Sequence, residues 1–236
     1  MRLRDRDIRR VVAAPLRARH WRALGGMLTT YDQPFVALRR YLANAGEYPW
    51  VLTLTTPIGP VAVELRDRHD LLTVNEIFCR RDYSDGAGTR VVADIGANVG
   101  LAALFFLTRS HDVHVVCFEP DPVNIAQLRR SLAEFDGRYR VVEAAVTAQP
   151  VAALEFVPAG RYGHTARRGE GGTVRVPAVE VLAALAEIAD KEGPVDLVKV
   201  DTEGTEAELV ARIRQGHPSS PPAVVFEDSA GRTRWA

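Results

Sequence analysis

From Thr89 onward the chain repeats one unit: a strand-length run rich in Val, Leu and Ile, a turn, then a stretch of helical length. Strands are expected at Arg90–Asp94, His114–Glu119, Tyr139–Ala145, Val195–Asp201 and Ala223–Glu227. Their apolar runs are continuous rather than alternating, as in strands buried on both faces. Helices are expected from Leu101 to Thr108, from Pro122 to about Phe135, from Val179 to Ile188 and from Thr205 to Ile213. Asp121 caps the second of these, and Pro122 suits its first position because it has no N–H to leave unpaired. Such strand–helix repeats assemble into a parallel sheet with helices on both faces. The fold class expected is therefore α/β, a doubly wound and mainly parallel sheet, with an inserted hairpin at Val151–Phe156 and Thr173–Val176.

The first part of the chain follows another pattern. Ile8, Val11, Val12, Leu16, Leu24 and Leu28 are spaced for one helical face among arginines, and Pro15, Gly25, Gly26 and Pro34 are expected to break it into short pieces. Trp50–Thr55 and Val61–Leu65 alternate like strands on either side of a Pro57-Ile58-Gly59-Pro60 turn. This predicts a helical extension over residues 1–49 and a main domain over 50–236, with its core at 89–227. Formal net charge is zero, so no global field draws the molecule to nucleic acid or to an anionic membrane. The ten arginines of the first fifty residues read as a solvated helical face. Cys79 and Cys117 form no CxxC pair, and Cys117 lies in an apolar run, which suggests a free thiol and a reducing compartment. With neither a signal-like stretch nor a membrane-length run, the expected location is cytoplasmic.

The chemistry concentrates in DIGANVG, Asp94 to Gly100, where the first strand ends and the first helix opens. Doubly wound sheets bind nucleotides at that place. Gly96 and Gly100 allow close backbone approach and offer helix N-terminal amides. A dinucleotide loop starting at Gly96 would need glycines at positions 98 and 101, but the chain has Asn98 and Leu101. Asn98 would crowd a pyrophosphate and the Asp94 carboxylate would repel it. S-adenosylmethionine has no phosphate, and Asp94 would favour its ammonium and sulfonium directly or through water. The second strand ends in Glu119-Pro120, nineteen residues past Gly100, where an acid can accept hydrogen bonds from both ribose hydroxyls. The third strand ends at Ala144 and Ala145, which either leave room for a flat base or pack beneath a helix.

The segment DLVKVDTEGTEAELV, Asp196 to Val210, resembles the signature of the FkbM-type methyltransferases, in which a strand with an internal Lys enters an Asp-x-Glu-Gly-x-Glu turn and a helix. Thr56–Gly86, DIGANVGLAALFF, CFEPDPVNIAQLRRSL and VVEAAV are similar to other parts of that family in the same order, so the resemblance spans about residues 50–227. It implies a class I, Rossmann-like fold and S-adenosylmethionine-dependent methylation, commonly of a hydroxyl on a sugar, glycolipid or secondary metabolite. Asp201 and Glu203 would then lie at the end of a central strand, where a carboxylate can bond an incoming hydroxyl and accept its proton late in the reaction. Paired acids could also hold a divalent cation, but no further ligand is identifiable and no metal is assigned. No Asn/Asp-Pro-Pro-aromatic motif follows Val200, which disfavours a nucleic-acid base as acceptor. Glu206 reads as a helix-start acid, and Lys199 as a buried lysine with an acidic partner. The Ala159–Gly172 loop is either a lid or a hairpin tip, and His164 within it either a base or a solvated side chain.

Members of this class usually follow the fifth strand with a helix and an antiparallel strand pair. Here nine residues remain, so the pair is expected to be missing and the edge of Ala223–Glu227 open to pairing with another copy, giving a homo-oligomer. An S-adenosylmethionine-binding protein without catalysis is the alternative reading.

Overall fold

The computed structural model describes residues 18–43, 46–83, 88–158, 164–165, 171–202, 204–217, 219–228 and 232–236. The chain divides into two compact units, one ending at Ser84 and one beginning at Asp85. The first holds α1 (Ala18–Thr30), α2 (Pro34–Ala43), β1 (Trp50–Thr56), β2 (Gly59–Leu65) and α3 (Arg68–Val74), which runs into a π-helical turn at Asn75–Cys79. β1 and β2 form the expected antiparallel hairpin, in register from Trp50↔Leu65 to Thr56↔Gly59. Leu52, Leu54, Val61, Val63 and Leu65 point to its buried face. The hairpin thus shares a unit with the helices, and the division falls after Ser84. Gly25 and Gly26 do not break α1 as expected. A Cβ at Gly26 would strike the Cys79 backbone, so this glycine lets α1 press against the π turn.

The second unit carries the repeated strand–helix pattern: β3 (Val91–Ile95), α4 (Leu101–Leu107), β4 (His114–Phe118), α5 (Pro122–Ser131) and β5 (Tyr139–Val142). Four short strands follow, β6 (Ala145–Thr147), β7 (Ala153–Val157), β8 (His164–Thr165) and β9 (Val174–Glu180). Then come α6 (Val181–Glu192), β10 (Leu197–Val200), α7 (Glu206–Gly216), β11 (Ala223–Glu227) and β12 (Thr233–Trp235). The main sheet has the order β12-β11-β10-β3-β4-β5, parallel except for β12. β7 and β9 pair antiparallel, as the expected hairpin, and belong to a separate sheet ordered β6-β9-β7-β8.

Alternation along the strands sorts the two faces. Val91, Ala93, Ile95, Val198 and Val200 pack with Val181, Leu185 and Ile188 of α6 and with Leu209, Val210 and Ile213 of α7. The opposite face carries a row across four strands, Cys117, Asp94, Lys199 and Val225, all of them buried. Every residue of α4 is buried. The order of strands reverses between β3 and β10, and a crevice at the carboxyl ends of such a pair is where doubly wound sheets bind ligands. Among the described residues no helix is long and apolar enough to cross a membrane.

The carboxyl end corrects one expectation. β11 is not outermost, because β12 pairs with it antiparallel at Val225↔Trp235, Phe226↔Arg234 and Glu227↔Thr233. Val224 N donates to Ala236 O at 3.0 Å and Ala236 N to Val224 O at 2.8 Å. One three-residue strand therefore fills the backbone groups expected to stand open. Replacing Arg234 by Pro, which removes an N–H from this ladder, should cost about 1–2 kcal/mol and expose the edge. Light scattering at micromolar concentration should then detect association. Arg234→Ala keeps the N–H while losing the ion pair to Asp228, and should not associate.

Candidate cofactor and acceptor site

The turn after β3 is held from two neighbouring strands, β4 and β10. Gly96 N and Ala97 N both donate to Phe118 O of β4, each at 3.0 Å. Asn98 N donates to Glu119 Oε2 at 2.8 Å, and Val99 N to Asn98 Oδ1 at 2.8 Å. On the other side, Lys199 Nζ donates to Gly96 O at 2.6 Å. Gly96, Asn98 and Gly100 all have positive φ, at 75°, 51° and 85°. The left-handed conformation suits glycine, and Asn tolerates it. Gly96 has a second reason to be glycine: a Cβ there would fall on the Asp201 carbonyl oxygen. Its role is close packing of the β10 loop against the turn, a contact that local sequence does not reveal.

Glu119, expected to bind ribose, is only 4% exposed. Its Oε1 accepts from Asp121 N at 3.0 Å and Asn124 Nδ2 at 3.2 Å, and its Oε2 from Asn98 N. A carboxylate has about four acceptor positions, which leaves one, on Oε2, for a hydroxyl. This acid organises the loop as well as offering that site. Asn124 and the Asp121 amide are supporting partners that the sequence reading missed. Asp121 itself caps α5 through Val123 N at 2.8 Å, as its sequence predicts. Pro120 is half-buried beside Glu119. Ala144 is buried and Ala145 half-buried where β5 hands over to β6.

Asp94, Lys199 and Asp201 form one charged group. Lys199 Nζ lies 3.0 Å from Asp94 Oδ1 and 3.6 Å from Asp201 Oδ2. Asp94 is sealed from solvent, and neither of its oxygens completes a hydrogen bond of good geometry. Burial raises its pKa, and the Lys199 ammonium opposes that rise. Asp201, by contrast, exposes 41% of its side chain. An acidic partner was expected for Lys199, and two acids lie beside it, one inside and one at the mouth. Cys117, beside Asp94 in the row, is a free thiol pushed well above its usual pKa by burial.

Glu206 builds the turn after β10. Its Oε1 accepts from Thr202 N at 2.8 Å and Thr202 Oγ1 at 3.1 Å, and Gly204 N lies 3.0 Å from Oε2. Burial would raise its pKa, but the N–H groups of Gly204, Glu206 and Thr202 hold it below the ordinary value. That matches an acid at a helix start, fixed by backbone donors. Glu203 lies outside the described residues, as does most of the Ala159–Gly172 loop.

The set at the switch point fits an adenosyl sulfonium. Glu119 keeps one acceptor position for a hydroxyl, and Ala144 is buried and Ala145 half-buried at the end of β5. Asp94, Lys199 and Asp201 together carry one net negative charge against the one net positive charge of S-adenosylmethionine.

Burial raises the Glu119 pKa above its ordinary 4.5, with the Asp121 amide, the Asn124 side chain and the Asn98 amide opposing. A carboxyl raised by folding gives stability that is full below its unfolded pKa and is lost as pH rises through the folded value. Glu119→Gln places an NH2 against one of the donors and should destabilise the protein by about 1–3 kcal/mol. The gap to wild type should narrow as pH rises from about 4 to about 7 in denaturant titrations. A gap that widens would contradict this account of the side chain.

Comparison with known proteins agrees with the geometry. A family model, Methyltransferase FkbM domain, matches residues 94–226. AMB antimetabolite synthetase AmbE of Pseudomonas aeruginosa is 29% identical over 172 residues, covering 71% of this chain and 7% of that protein. 2-O-methyltransferase NoeI of Sinorhizobium fredii is 27% identical over 139 residues, covering 51% of this chain and 56% of its own. The chain thus spans little more than half of one relative and a small part of the other. Among solved structures, precorrin-6y C5,15-methyltransferase of Geobacter metallireducens aligns at 15% identity and a TM-score of 0.35, over 58% of this chain and 53% of its own. The SAH-bound Podospora anserina methyltransferase PaMTH1 aligns at 19% identity and a TM-score of 0.33, over 58% and 45%. The family match runs from Asp94 within β3 to Phe226 in the last parallel strand, more than half of the sequence. The chain belongs to the FkbM methyltransferase family.

Proposed function

We propose that the chain methylates a hydroxyl oxygen of a small molecule, such as a sugar, a glycolipid or a secondary metabolite. The observation that carries this reading is Asp201, the one acid of the charged group that is open to solvent, at the carboxyl end of β10 beside the turn after β3. The 2-O-methyltransferase among the relatives supports oxygen as the target. When bound, S-adenosylmethionine would supply a methyl group from its sulfonium, the carbon–sulfur bond breaking as the carbon–oxygen bond forms and S-adenosylhomocysteine leaving. Asp201 accepts a hydrogen bond from the acceptor hydroxyl, which orients the oxygen, and receives its proton as the new carbon–oxygen bond forms. Lys199 stands 3.6 Å from that carboxylate, on the side away from solvent. Glu203, next along the turn, is the second acid of the reading. A neutral chain suits a small acceptor better than a polyanion.

Asp201→Asn keeps the shape and loses the basicity. Turnover on a panel of hydroxylated acceptors should fall by about 10²–10⁴-fold, while S-adenosylmethionine affinity by calorimetry stays at the wild-type level. Unchanged turnover would remove Asp201 from proton transfer. A cofactor-loaded protein that methylates no hydroxyl in the panel would count against the reading as a whole. Glu119→Ala should act on the other side, weakening S-adenosylmethionine by about 10- to 150-fold, the scale of one hydrogen bond to a charged group. A variant that still separates adenosine from its 2′,3′-dideoxy analogue as wild type does would show that Glu119 does not read the ribose.

A further inference from the structure

Lys199 occupies a place that an apolar residue would fill without difficulty. Its strand neighbours Leu197, Val198 and Val200 are all buried, and its cross-strand partner on β11 is Val225. An ammonium taken out of water costs several kcal/mol unless its geometry is well satisfied. A single ion pair with Asp94 would meet that need, yet the ammonium does more. Its three donors face three oxygens from three places: Asp94 Oδ1 on β3 at 3.0 Å, Gly96 O in the turn at 2.6 Å, and Asp201 Oδ2 past the end of β10 at 3.6 Å. Gly96 O is the first carbonyl of the turn that meets the cofactor, and Asp201 is the acid that meets the acceptor. The backbones of the same two loops also touch, with Asp201 N donating to Ile95 O at 3.0 Å and Gly96 lying flat against Asp201 O.

We propose that Lys199 is a positioning residue that holds the turn after β3 and the Asp201 carboxylate in one frame through a single buried ammonium. The part concerning Asp201 rests on the proposed O-methylation, while the part concerning the turn does not. Its charged neighbours among the described residues include Asp94 and Asp201, with the neutral Cys117 thiol next in the row.

The test uses the whole chain and two probes, S-adenosylmethionine and S-adenosylhomocysteine, which differ by one positive charge. Lys199→Met should weaken both to the same extent, by about tenfold or more, because the Gly96 carbonyl loses its donor. A purely electrostatic role predicts the opposite pattern, with the sulfonium bound more tightly relative to the thioether once a nearby cation is removed. Should Lys199→Met fail to fold, Asp94→Asn combined with Lys199→Met removes both buried charges and is measured in the same way. Lys199→Ala supplies a readout that a merely structural role would not move. Propylammonium, the excised part of the side chain, should restore affinity and turnover, whereas 1-propanol of the same length should not. Wild-type affinity for both probes in the methionine variants, or equal rescue by the alcohol, would overturn the proposal. Weakened binding together with wild-type turnover in Asp201→Asn would uphold the anchoring of the turn and overturn its link to Asp201, so the two failures are separable.

Discussion

Asp94 and Lys199 face each other across β3 and β10 at the point where the strand order reverses, and neither can reach water. Two such charges stay in a core only while each keeps the other; removing one strands its partner at a cost of several kcal/mol. The pair therefore fixes the register of the two central strands, since a slip of one residue would turn one charged side chain onto the opposite face, into the cluster packed by α6 and α7, and leave the other unpaired. With the register set, the ends of both strands are set too. Gly96 and Asp201 then meet, and the crevice that the fold provides acquires its lining.

Three acids around this crevice do three different jobs, and exposure decides which. Glu119 is nearly closed off and spends three acceptor positions on Asn98, Asp121 and Asn124, so it shapes the turn and keeps one position for a ligand. Glu206 gives its oxygens to Thr202 and Gly204 and begins α7, which leaves it little basicity to offer. Of these three, Asp201 keeps an open carboxylate. Acids on two separate loops thus differ in the number of N–H groups pointed at each.

Much of this was legible in the sequence because it depends on neighbours along the chain. The continuous apolar runs announced a buried parallel sheet, Asp121 and Pro122 announced the start of α5, and Pro57 to Pro60 the hairpin. The charge partners of Lys199 were also foreseeable, because a lysine between Val198 and Val200 has few other ways to be buried. What could not be read depends on contacts between distant segments. Gly26 looked like a helix breaker, but its reason is the backbone of Cys79. Gly96 looked like a residue kept small for a ligand, yet the Asp201 carbonyl already fills that space. β12 was invisible because three residues, Thr233 to Trp235, are too few to display any periodicity, and only the waiting edge of β11 makes them a strand.

The same distinction explains how Asp94 is joined to the cofactor. Its place in the motif suggests direct contact with a positive ligand, while its burial denies the ligand any approach to its oxygens. The carboxylate instead holds the Lys199 ammonium, the ammonium holds the Gly96 carbonyl, and that carbonyl belongs to the turn itself. An acid at this position influences binding through the position of a backbone turn as well as through its charge. Under the proposed O-methylation the exposed Asp201 would take the acceptor's proton while Asp94 and Lys199 would hold the turn on the donor side, so the two sides of the reaction would meet across one buried ion pair.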